Sequence, residues 1–124
     1  MEKQAVFTNL AGKPGGHYSQ GIRFNNILYT SGTVGKDPET GLVVSGGVKA
    51  QVRQALENIK VILEQASTSI DNVLKANTYL NDMHDFEDFN EIYKQYFSNN
   101  PPPARITVEV GFADGIEDCA SFFL

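Results

Sequence analysis

The stretch from Val48 to Ala66 constrains the fold more than any other part of the chain. Val48, Val52, Ala55, Leu56, Ile59, Ile62, Leu63 and Ala66 recur at spacings of three and four, while Lys49, Arg53, Glu57, Lys60 and Glu64 fall outside that stripe. Such a pattern predicts an amphipathic helix whose apolar face must be laid against another element. Around it the period shortens. Residues 4–8 read as a short strand, and residues 22–24 and 27–30 read as a hairpin turning at Asn25-Asn26. Residues 73–80, 104–112 and 116–123 add three further strands, the last two joined by a tight hairpin at Asp114-Gly115. A second helix starts at Asp82 or Asp85, shows Phe86, Phe89, Tyr93 and Tyr96–Phe97 on one side, and stops at Pro101–Pro103.

The order β-β-β-α-β-α-β-β predicts an α+β domain over residues 1–124, with both helices packed on one face of a mixed sheet. In "PPPARITVEV" (101–110), Ile106, Val108 and Val110 alternate with Arg105, Thr107 and Glu109. The apolar set is expected to face the helices. The other face would then carry Arg105, Thr107, Tyr79 and Tyr29, a half-polar surface suited to self-association.

Composition narrows the function. At 124 residues the chain fits one domain, and no apolar run approaches the ~18 residues of a membrane span. The first residues, "MEKQAVFTN", lack a signal-peptide pattern, so a cytoplasmic location without membrane attachment is expected. Cys119 is the single cysteine, and His17 and His84 have no ligand-like spacing, so no metal site is expected. A net charge of −5 with scattered Lys and Arg argues against nucleic acid as a partner.

Five segments together resemble one family: "GGHYSQG" (15–21), "LYTSGTVG" (28–35), "VRQALENIKVILEQA" (52–66), "DFNEIYKQYF" (88–97) and "PPPARITVEV". In this order and at these separations they are similar to the RidA/YjgF family, formerly labelled endoribonuclease L-PSP. The resemblance spans about residues 15–111. It implies a chorismate-mutase-like fold and a homotrimer with clefts between subunits. It also implies cofactor-free hydrolysis of 2-imino or enamine acids to 2-keto acids and ammonia. Arg105 stands at the position that forks onto the substrate carboxylate, Tyr18 at the aromatic cleft position, and Ser31 and Gly32 at the ligand-facing "SG". Asn90 matches a polar position on the second helix, and Thr107 stands where many relatives have Cys. Read from the residues alone, Arg105 could equally pair with Glu109 or Glu117.

The C-terminus departs from the resemblance. Active relatives carry an "EIEAIA"-like last strand whose first Glu is thought to activate water, whereas this chain reads "GFADGIEDCASFFL". An ungapped alignment puts Ala120 at the base position, and a hairpin shortened by three residues puts Glu117 there. His17, next to Tyr18, is a second candidate acid or base. Two further readings therefore stay open: a non-hydrolytic trimeric binder of small carboxylates, and the older ribonuclease or translation-inhibitor reading.

Overall fold

The computed structural model describes residues 2–112 and, as backbone, residues 120–123. Three strands, β1 (Gln4–Val6), β2 (Gly21–Phe24) and β3 (Ile27–Thr30), form an antiparallel sheet in chain order. Phe24 pairs with Ile27 across the expected two-residue turn, where Asn25 adopts φ 56°. Asn tolerates that left-handed conformation better than other non-glycine residues. The chain continues through α1 (Gly47–Gln65), β4 (Lys75–Leu80), α2 (Phe86–Tyr96), β5 (Ala104–Glu109) and β6 (Ala120–Phe123). β4 is the centre of a second, mixed sheet, parallel to β5 and antiparallel to β6. The element order is the expected one.

The apolar stripe of α1 is buried. Val52, Ala55, Leu56, Ile59 and Leu63 meet Ala76 and Leu80 of β4 and Phe89, Ile92, Tyr93 and Phe97 on and just beyond α2. Burying one such side chain stabilises the fold by about 1.5–3 kcal/mol. The entry to α1 depends on Gly46, whose φ of 110° is open to glycine and strained for other residues.

Three expectations are corrected. Residues 73–80 do not all belong to one strand: β4 starts at Lys75, and Leu74 is 78% exposed rather than sharing the Ala76 face. The last strand pairs with β4, with Leu80 opposite Ala120 and Asn77 opposite Phe123, instead of forming a hairpin ladder with β5. Beside β4 it lies against α1. The expected Asp114-Gly115 turn falls on residues outside those described.

The third correction concerns which face of β5 is inside. The parallel register sets Arg105 beside Ala76 and Thr107 beside Thr78. Ala76, Thr78 and Leu80 are buried beneath the helices, so Arg105 and Thr107 lie on the helix side. Ile106 and Val108 lie on the reverse with Asn77 and Tyr79, and Ile106 is 50% exposed. Alternation defines two faces without saying which one a helix will cover.

The segment after β3 packs closely on α1. A bridge joins Lys36 and Val43, and the Val44 N–H donates to the Gly35 carbonyl at 3.0 Å. A Cβ on Gly35 would stand 2.5 Å from the Gln51 carbonyl oxygen, a backbone atom that cannot swing aside. Gly35→Ala should therefore cost about 1–3 kcal/mol, read as an earlier midpoint in urea unfolding. An unchanged midpoint would contradict this packing.

Candidate functional site

Arg105 is the centre of the first group of site residues. It enters from the start of β5 and lies under α2, whose turns bring Phe86, Phe89, Asn90 and Tyr93 to one side at spacings of three and four. The guanidinium carbon sits 4.7 Å from the ring centroid of Tyr93, 5.5 Å from Phe89 and 5.6 Å from Phe86. Aromatic faces attract a cation without neutralising it. One guanidinium nitrogen donates to Asn90 Oδ1 at 2.8 Å. Among the described residues no carboxylate lies within ion-pair distance of Arg105. Glu109, a suggested partner, instead accepts from the Met83 N–H at 2.9 Å. Glu117, the other, lies outside the described residues.

Thr107 continues the same row. Its hydroxyl lies 2.6 Å from that of Thr78, which also donates to the Ile106 carbonyl at 2.9 Å. Burial pushes the Tyr93 phenol up, with the Arg105 cation acting in the opposite direction. Across β4, Ala120 is the register partner of Leu80, in the row that continues to Glu109.

The second group lies at the ends of β2 and β3. Tyr18, Ser31 and Gly32 line a cleft of about 590 Å³ between the loop that precedes β2 and the segment that follows β3, with Asn58 and Ile62 of α1 behind. Tyr18 is 53% exposed, and its hydroxyl accepts from the Gly15 N–H at 3.0 Å. Ser31 Oγ donates to the Ser19 carbonyl at 2.6 Å, and the Ser31 N–H donates to the Gln20 carbonyl at 3.0 Å. From α1, Asn58 Nδ2 donates to the carbonyls of Lys36 at 2.9 Å and Val34 at 3.3 Å, which pins the opposite wall. His17 is exposed on the same loop and is not among the residues lining the cleft.

Within one chain, then, Arg105, Asn90 and Thr107 form one group and Tyr18, Ser31 and Gly32 another. Arg105 does not line the cleft of the second group. Sequence reasoning missed Phe86, Phe89 and Tyr93 as the seat of Arg105, taking them as core alone. The signal was present: Phe86, Asn90 and Tyr93 share one helix side. It also missed Thr78, a polar residue in an otherwise apolar row.

Residues 8–116 match the sequence profile of the family described as Endoribonuclease L-PSP. The chain belongs to this family, also known as RidA/YjgF. It is 46% identical over 110 residues to a RutC family protein of Pyrococcus abyssi, covering 89% of this chain and 86% of that one. It is 45% identical over 95 residues to the human 2-iminobutanoate/2-iminopropanoate deaminase, covering 77% of this chain and 69% of the human protein. The solved structure of RidA from an Antarctic Psychrobacter superposes with a TM-score of 0.90 at 37% identity, covering 97% of this chain and 95% of that one. The two-helix, mixed-sheet architecture is therefore that of the RidA fold.

The site geometry makes Asn90 a neutral partner of a charged group. Asn90→Asp would supply the carboxylate that Arg105 lacks among the described residues. If Arg105 anchors a small carboxylate ligand, the variant should bind it about tenfold more weakly, because the strong charge-assisted pair is already made. Calorimetric titration checks this, and affinity equal to wild type would show that Arg105 is not the anion's anchor.

Proposed function

We propose that this protein hydrolyses 2-imino or enamine acids to 2-keto acids and ammonia, in clefts between the subunits of a homotrimer. The observation that carries this reading is Arg105: a cation on three ring faces, held by a neutral amide, with no carboxylate partner among the described residues. A planar fork of this kind suits a carboxylate, which can accept two parallel hydrogen bonds. The deaminase activity in the human relative's name supports the same chemistry.

In the proposed reaction Arg105 holds the carboxylate and thereby fixes the imine carbon next to it. Ser31, Gly32 and Tyr18 of a neighbouring subunit close the other side. The separation of the two groups within one chain favours such a shared cleft. Water adds to the imine carbon with one proton passing to nitrogen, and the second passes from the new hydroxyl to nitrogen as the C–N bond breaks, so that ammonia leaves and the carbonyl forms. The product keeps its carboxylate, so Arg105 binds the 2-keto acid too. Neither a metal nor a cofactor is needed for this balance.

Water activation is where a second reading competes. The chain has "ADGIEDCASFFL" in place of a Glu-led last strand. With Ala120 at the base position, the same cleft would bind carboxylates and hydrolyse imines slowly, since a general base contributes about 10²–10⁴-fold. Glu117 and His17 are the remaining candidates for the base.

Kinetics separate these readings. Arg105→Ala should cost about 1.5–3 kcal/mol in affinity for 2-ketobutanoate. If Ala120 holds the base position, Ala120→Glu should raise turnover of 2-iminobutanoate and Glu117→Gln should leave it unchanged. The reverse pattern assigns the base to Glu117, and indifference to both turns attention to His17. Equal affinity in the wild type and Arg105→Ala sinks the carboxylate clamp itself.

Assembly is tested separately. Ile106 and Tyr29 are exposed on sheet surfaces, with the half-buried Val108 and Tyr79 beside Ile106. Covering them with two further copies removes that apolar surface from water. Sedimentation equilibrium should give a trimer at micromolar concentration, and a monomer there would remove the shared cleft.

A further inference from the structure

One buried carboxamide ties together the segments that carry Tyr18 and Ser31. Gln20, 5% exposed, stands immediately before β2. Its Oε1 accepts from the Thr8 N–H at 2.8 Å, and its Nε2 donates to the carbonyls of Thr8 at 3.1 Å and Gly12 at 2.9 Å. The side chain thus serves Thr8 as a neighbouring strand would, two residues beyond the end of β1, and satisfies both of its backbone groups. The main chain of Gln20 accepts from the Ser31 N–H, while Ser31 Oγ reaches the adjacent Ser19 carbonyl. Tyr18 is the next residue back.

We infer that Gln20 is a positioning residue that fixes where Tyr18 and Ser31 stand in the cleft and acts on a bound carboxylate only through them. Its effect on the ligand rests on the carboxylate-binding reading above. The side chain holds residues 8–12 against the start of β2, two residues after Tyr18, and the main chain at the same residue holds Ser31. Asn58 braces the opposite wall at Val34 and Lys36, so the two carboxamides hold different sides of the cleft. A Met at position 20 would have similar length and leave three backbone groups without their partner. A Glu would present a carboxylate oxygen to two carbonyls.

The test pairs a ligand-free readout with a binding cycle, using the full chain. In Gln20→Met, hydrogen exchange at the Thr8 and Ser31 amides should quicken at least about tenfold while the β4 amides are unchanged, the mark of local rather than global opening. Val52→Ala, a core truncation in α1, should instead raise exchange in β4 as well, because it acts through global stability. Binding of 2-ketobutanoate should weaken about tenfold in Gln20→Met. In a Tyr18→Phe/Ser31→Ala background the same substitution should add little, because its route to the ligand is already broken. Three results overturn the inference: unchanged exchange at Thr8 and Ser31, quickened exchange with wild-type affinity, or an equal loss of affinity in both backgrounds. A wild type that binds no 2-ketobutanoate defeats the carboxylate reading instead, and the exchange experiment still decides whether Gln20 orders these segments.

Discussion

The parallel pairing of β4 with β5 sets the character of the whole molecule. By placing Arg105 beside Ala76 and Thr107 beside Thr78, it brings a guanidinium and a hydroxyl to the side of the sheet that the helices cover. A charge there needs compensation. The aromatic side of α2 and the Asn90 amide supply it, with no carboxylate at ion-pair distance among the described residues. The hydroxyl is satisfied by its counterpart on Thr78. The same register turns Ile106 and Val108 to the reverse of the sheet, so the polarity of one face and the stickiness of the other have a common origin.

Those facts also explain what the sequence could and could not convey. The stripe of α1 and the Asn25-Asn26 hairpin were legible because their signals are local: a period of three to four in one case, a left-handed turn residue in the other. The inside face of β5 was not legible, since Ile106 and Val108 make the wrong face look like core. The partner of β6 was equally hidden, because the strand it pairs with depends on where α1 lies rather than on the sequence just before it. The motifs marked Arg105 and Asn90 as site positions, yet only the structure shows that within one chain these two bind each other. Glu117 lies outside the described residues.

The loops that flank the cleft of Tyr18 and Ser31 follow a different logic from the sheet. They have few apolar residues to bury, and their order comes from polar side chains that stand in for missing strands. Gln20 bonds the chain past β1, Asn58 bonds the segment after β3, and Gly35 lets that segment lie directly on the α1 backbone. Such a frame holds a site without filling it. In the shared cleft proposed above, the Arg105 cation of one subunit and the braced loop pair of the next would together grip a small planar acid.

The most direct measurement is a crystal structure of the assembled protein soaked with 2-ketobutanoate. The account predicts a carboxylate forked on the Arg105 guanidinium, with Asn90 still bonded to it and Tyr18 and Ser31 of the adjacent subunit around the keto carbon. Arg105 found in an ion pair with a carboxylate of its own protein, with the keto acid bound elsewhere, would contradict it.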